Sequence, residues 1–124
     1  MNLLNLFRHE TDTVNFDSGQ TILSPEQRNK VMYVLIEGEA EISVAGTVVE
    51  IAMPGALLNE LALIEDAPGN AFVIARSLCR LVTIDERRFS FLVQQTPNFA
   101  LYVMKALTDR LRAMNARLIS NQQG

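Results

Sequence analysis

The run from Val31 to Ile36 constrains the fold more than any other stretch. Six successive apolar residues stand there, and a run that short suits a strand covered on both faces. Glu37-Gly38 turns the chain. Ala40 to Val44 and Thr47 to Ile51 follow as two strand-like runs divided by Ala45-Gly46, a compact hairpin signal. Upstream, Val14-Asn15-Phe16 and Thr21-Ile22-Leu23 lie on either side of a Ser18-Gly19 turn, and residues 24–30 form a polar loop. Downstream, Ala71 to Ala75 reads as a buried strand, and Leu78 to Ile84 is apolar and strand-like. Many short strands separated by turn residues predict a sandwich or jelly roll.

The 124 residues fit one domain, and an apolar share of 48% supplies a core without disulfides. Cys79 is the one cysteine. Within its apolar stretch it is expected to be a buried structural thiol rather than a nucleophile. A chain without a disulfide framework fits a reducing cytoplasm. The N-terminus lacks the charged lead and apolar core of a signal peptide. No apolar run approaches the roughly 20 residues of a membrane span. The net charge of −3 is unevenly spread: residues 1–75 carry −8 and residues 76–124 carry +5. Two solvated faces explain this, although such asymmetry also favours docking of one half on the other or on an acidic partner. No Lys/Arg cluster interleaved with aromatics marks a nucleic-acid groove.

Between the hairpin and the later strands lies an insertion, Met53 to Ala75. Pro54-Gly55 punctuates the chain, Asn59 to Ile64 has room for a turn or two of helix, and a second Pro-Gly stands at positions 68 and 69. The first N–H groups of so short a helix lack backbone partners, which suits an anion.

The sequence Pro54-Gly55, Glu60-Leu61-Ala62-Leu63-Ile64, Pro68 and Ala71 resembles the phosphate-binding cassette of cyclic-nucleotide-binding domains. These are the sensor halves of catabolite-activator-type regulators, of cyclic-nucleotide-dependent kinase regulatory subunits and of gated channels. Phe16 to Ile22 and Met32 to Ile42 resemble the family's opening strands and its most recognisable strand pair. The resemblance implies a mainly β fold with flanking helices: a cyclic-nucleotide-binding-type jelly roll, or double-stranded β-helix, over about residues 12–84, then C-terminal helices over about 86–120.

The same resemblance implies a site at Asn59, Glu60, Leu61, Ala62, Gly69, Asn70 and Ala71. Glu60 would accept from a ribose hydroxyl, and the Leu61 and Ala62 backbone N–H groups would hold the cyclic phosphate. Within the cassette the chain departs from the family at three places: Asn59 stands for Gly, Gly69 for the phosphate-pairing Arg, and Asn70 for Ser/Thr; in the polar loop Pro25 and Glu26 stand for an acid and a Gly. Losing one charge-assisted hydrogen bond costs on the order of 1.5–3 kcal/mol, roughly ten- to hundredfold in affinity. The expected ligand is therefore a cyclic nucleotide, cyclic AMP or cyclic GMP, bound weakly, or a different small molecule.

Asn is also a strong N-cap, so Asn59 can satisfy the helix start in place of an anion and leave a self-capped cassette without ligand. For Glu60 the alternative is a partly buried carboxylate satisfied by backbone N–H groups. Arg76 and Arg80 are the nearest later bases, and both are expected on the outer face of their strands.

After the barrel, Asp85 is placed to cap a helix with Phe89, Leu92 and Val93 on one face. Thr96-Pro97 is read as the cap and first position of a last helix. Met104, Leu107, Leu111, Met114 and Leu118 are spaced 3, 4, 3, 4, with Ala100 one step back. This is a heptad seam, about 30 Å long over some 20 residues. It favours a homodimer over a stripe in the chain's own core, and the resemblance points to the same use of this helix.

These features predict a non-catalytic sensor whose output passes to a separate protein. The rival is a ligand-independent dimeric scaffold. A cupin-type metal enzyme needs several His and carboxylate ligands. His9, placed in the N-terminal helix, is the one histidine, which disfavours both that reading and a Ser/His/Asp or Cys/His site. Tyr33 and Tyr102 are read as packing residues. Helix-turn-helix, kinase and channel segments do not occur within the 124 residues, so DNA binding by that route is not expected.

Overall fold

The computed structural model describes residues 3–26, 30–64 and 71–123, without the side chains of Leu61 and residues 121–123. Its elements run α1 (Leu3–Phe7), β1 (Val14–Phe16), β2 (Thr21–Leu23), β3 (Val31–Glu37), β4 (Ala40–Val44), β5 (Thr47–Ala52), β6 (Leu57–Leu58), α2 (Glu60–Ile64), β7 (Ala71–Ala75), β8 (Cys79–Asp85), α3 (Glu86–Gln95) and α4 (Asn98–Gln123). Two four-stranded antiparallel sheets face each other, ordered β1-β8-β3-β6 and β2-β7-β4-β5. The mainly β jelly roll with flanking helices is thus the fold observed.

Strand β3 shows why its sequence is apolar without a break. Tyr33 and Leu35 point between the sheets, where they meet Ile42, Val73 and Leu81. Met32, Val34 and Ile36 point the other way, onto Leu3, Phe7, Phe99 and Val103 of the helices. Side chains alternate across a strand, so a strand with a core on each side has no polar position to spare. The β4–β5 hairpin also follows the sequence. Ala45 and Gly46 lie at φ 51° and 80°, the paired positive values of a type I′ turn.

Asp85 caps α3 as expected, its Oδ1 accepting from the Arg88 N–H at 2.8 Å. Phe89, Leu92 and Val93 pack on the helix-side core. The start of α4 differs from expectation. Thr96 ends α3, donating its N–H to Leu92 O, and α4 begins at Asn98. The Thr96 and Pro97 carbonyls accept from Phe99 and Ala100, so the two helices join without a gap. His9 lies exposed just beyond α1 rather than within it.

Cys79 is fully buried, and its thiol donates to Glu39 O at 3.2 Å. Burial pushes its pKa up, partly opposed by a hydrogen bond from the Ser77 backbone, so at neutral pH it is an inert thiol. Tyr33 is buried and Tyr102 partly so, both within packed clusters. No described helix is long and apolar enough to cross a membrane.

Candidate functional site

Beside α2 the barrel encloses a cavity of about 190 Å³. Its floor is sheet β2-β7-β4-β5, through Leu23, Ile42, Val44, Val49, Ala71 and Val73. Leu58, Asn59 and Glu60 form one wall, and Arg110 and Met114 reach in from α4. Three of the expected site residues, Asn59, Glu60 and Ala71, therefore line one cavity. Ala62 is buried in α2 and Leu61 is its helical neighbour. Gly69 and Asn70, with Pro68, lie outside the described residues.

Glu60 is the one buried charged residue among those described, 8% exposed. The described partner of its carboxylate is a guanidinium; backbone N–H groups were one of the two alternatives weighed from sequence. Arg110 Nη1 donates to Glu60 Oε1 at 2.5 Å. Its Nε donates to Glu50 Oε1 at 2.9 Å, and its Nη2 to Glu50 Oε2 at 3.1 Å and to Leu57 O at 2.8 Å. The Glu50 contact is a bidentate fork, the strong geometry for this pair. Burial pulls the Arg110 pKa down, but the charges and hydrogen bonds of Glu60 and Glu50 outweigh it and hold the value above its ordinary level. Arg110 stays charged throughout.

Asn59 sits at φ 64°. That is left-handed backbone, which glycine adopts freely and Asn better than other residues. The exchange of Gly for Asn thus meets a backbone requirement. An N-cap has extended backbone, so this is not the geometry of the expected self-cap. The Asn59 side-chain nitrogen donates to Val31 O at 2.9 Å. The two bases weighed from sequence stay out of the cavity. Arg76 is exposed, and Arg80 binds Glu37 Oε1 at 2.8 Å and Glu10 O at 3.2 Å.

Arg110 was not found from the sequence, yet a signal was there. The buried face of α4 runs through Phe99, Val103 and Ala106 to Arg110, one residue out of step with the heptad seam. A charged residue closing an apolar stripe was the mark to look for. The seam itself mostly faces away. Met104, Leu111, Met114 and Leu118 are each more than half exposed, while Leu107 packs partly on the core. Among the described residues no group of three or more His, Cys, Asp or Glu is placed to hold a metal.

The model of the cyclic nucleotide-binding domain matches residues 13–96, which hold all eight described strands and α3. The chain belongs to the cyclic nucleotide-binding domain family. A Pycsar effector protein from Xanthomonas perforans, XpPycTIR, is 29% identical over 99 residues, which cover 79% of this chain and 33% of that protein. The chain therefore spans about a third of that relative's length. Among solved structures, a variant of CooA from Carboxydothermus hydrogenoformans superposes with a TM-score of 0.79 at 17% identity, covering 97% of this chain and 84% of that one. A cAMP-bound PfPKA-R structure superposes with a TM-score of 0.69 at 22% identity, over 84% of this chain and 36% of that one. At these identities the two structures speak for the fold. In this cyclic nucleotide-binding domain the buried Glu60 is met by an arginine from the last helix.

Proposed function

We propose that this domain is a non-catalytic cytoplasmic sensor that takes a cyclic nucleotide, or a small ligand of similar chemistry, in the cavity beside α2. The observation that carries this reading is the placement of Glu60. A buried carboxylate on the wall of a largely apolar cavity is poised to accept from a ligand hydroxyl once its present partner yields. Family membership and the cAMP named in the PfPKA-R structure support the ligand class. The signal leaves the barrel through α4.

Thermal unfolding with and without millimolar cyclic AMP and cyclic GMP tests it. Ligand at about 100 times its dissociation constant adds roughly 2.7 kcal/mol, a melting shift on the order of 10 °C for a domain of this size. The shift should vanish in Glu60→Ala. No shift with either nucleotide rejects the ligand class.

A second reading, a dimeric scaffold that works without ligand, is favoured by one observation. The seam of Met104, Leu111, Met114 and Leu118 is exposed on a helix whose first part alone is docked on the barrel, through Phe99, Val103 and Ala106. Two-in-seven apolar spacing is what a partner helix requires. Sedimentation equilibrium should show a dimer, and Leu111→Glu should return it to monomer. A monomer at tens of micromolar would remove both the scaffold and the seam's role.

A further inference from the structure

The cavity holds two carboxylates, Glu50 and Glu60, against one guanidinium, Arg110, which is the one cation among its described lining residues. Its wall is thus net negative, and a phosphate entering it meets like charge unless a cation changes partners. Resting on the cyclic-nucleotide reading, we propose that Arg110 is the anion-binding group of this pocket: a phosphate-bearing ligand takes the guanidinium from Glu50 and thereby repositions α4.

Three observations support the exchange. Arg110 has the right chemistry, because its planar fork already holds a carboxylate bidentately and matches phosphate equally well. The two carboxylates are not equal competitors. The Glu50 side chain is 31% exposed and that of Glu60 10%, so Glu50 can turn to water when it loses Arg110, while Glu60 stays inside for a ligand hydroxyl. The link to α4 is direct. Every residue from Leu111 to Ser120 is exposed, so the ion pairs of Arg110 stand where the helix leaves the barrel, with the half-exposed Met114 beyond it still lining the cavity. A change of partner at Arg110 moves the segment that carries the rest of the seam.

The test is calorimetric titration of cyclic AMP and cyclic GMP into the whole chain and its Arg110→Gln, Arg110→Lys and Glu50→Gln variants, each checked for native circular dichroism. Arg110→Gln should lose about tenfold to hundredfold in affinity, and Arg110→Lys, which keeps charge but not the fork, should lose less. Glu50→Gln should bind several-fold more tightly, since it removes both a competitor for Arg110 and a negative charge. A second readout uses spin labels at Val48→Cys and Arg117→Cys, with Cys79 buried and unreactive. Nucleotide should change this distance in the otherwise native chain and leave it unchanged with Arg110→Gln.

Equal or tighter binding by Arg110→Gln overturns the proposal and makes Arg110 a lock that ligand must displace. The cyclic-nucleotide reading would survive that result. If Arg110→Gln does not fold, tighter binding by Arg110→Lys overturns the proposal in the same way. Failure of all four proteins to bind either nucleotide removes both the reading and the proposal.

Discussion

Phe99→Ala is expected to destabilise the domain by about 3–5 kcal/mol, the range for truncating a fully buried Phe. Phe99 is 0% exposed and meets two rings edge-on, Phe7 at 6.2 Å and Phe89 at 5.4 Å between centroids. Those rings belong to α1 and α3, and Phe99 itself opens α4. One side chain therefore joins three helices to the outer face of β3 and β8. Its removal leaves a cavity that no neighbour can fill alone, because each is fixed to a different element. Small domains have only about 5–15 kcal/mol in total, so the loss is a large fraction. Urea unfolding measures it directly, and a loss under about 1 kcal/mol would mean that the helices hold the sheet by other contacts.

Gly38→Ala should cost a comparable amount for a different reason. Gly38 lies at φ 92°, and a Cβ there would sit 2.2 Å from the Leu78 carbonyl oxygen and 3.0 Å from Cys79 Cα. These are backbone atoms and cannot rotate away. Glu39 beside it is held by the Ser77 hydroxyl at 3.0 Å, and its carbonyl accepts from the Arg76 N–H at 2.9 Å. The strand crossing between the sheets is thus tied on both sides of the clash. Left-handed strain contributes about 1–3 kcal/mol, and forced displacement of packed backbone about as much again. Gly46→Ala is the control. Gly46 has φ 80°, but a Cβ there would meet nothing within 4 Å, so it should show the strain alone. Equal melting temperatures for the two variants would show that the crossing can shift to admit a methyl group.

The barrel was legible from the sequence because its strands are written locally. The unbroken run of β3, the Ala45-Gly46 turn and the Asp85 cap each follow from residues within a few positions of one another. Strand β6 was missed for the opposite reason. Leu57-Leu58 has no pattern of its own and exists through pairing with Val34 and Tyr33. Asn59 has the propensity of a cap, and the left-handed backbone that places it decided otherwise.

The last helix draws the same line. Its sequence carries two apolar stripes one residue apart, Phe99-Val103-Ala106 and the seam from Met104 to Leu118. Periodicity establishes that both exist and that the segment is helical. Which stripe docks depends on how the helix lies against the barrel, and docking the first is what carries Arg110 to Glu50 and Glu60, 60 and 50 residues away in sequence. The sequence alone determined a jelly roll, a short helix opening on Glu60 and a long amphipathic helix. Tertiary structure decided that Glu60 is paired with Arg110, because the partners of a buried charge are chosen by proximity in space.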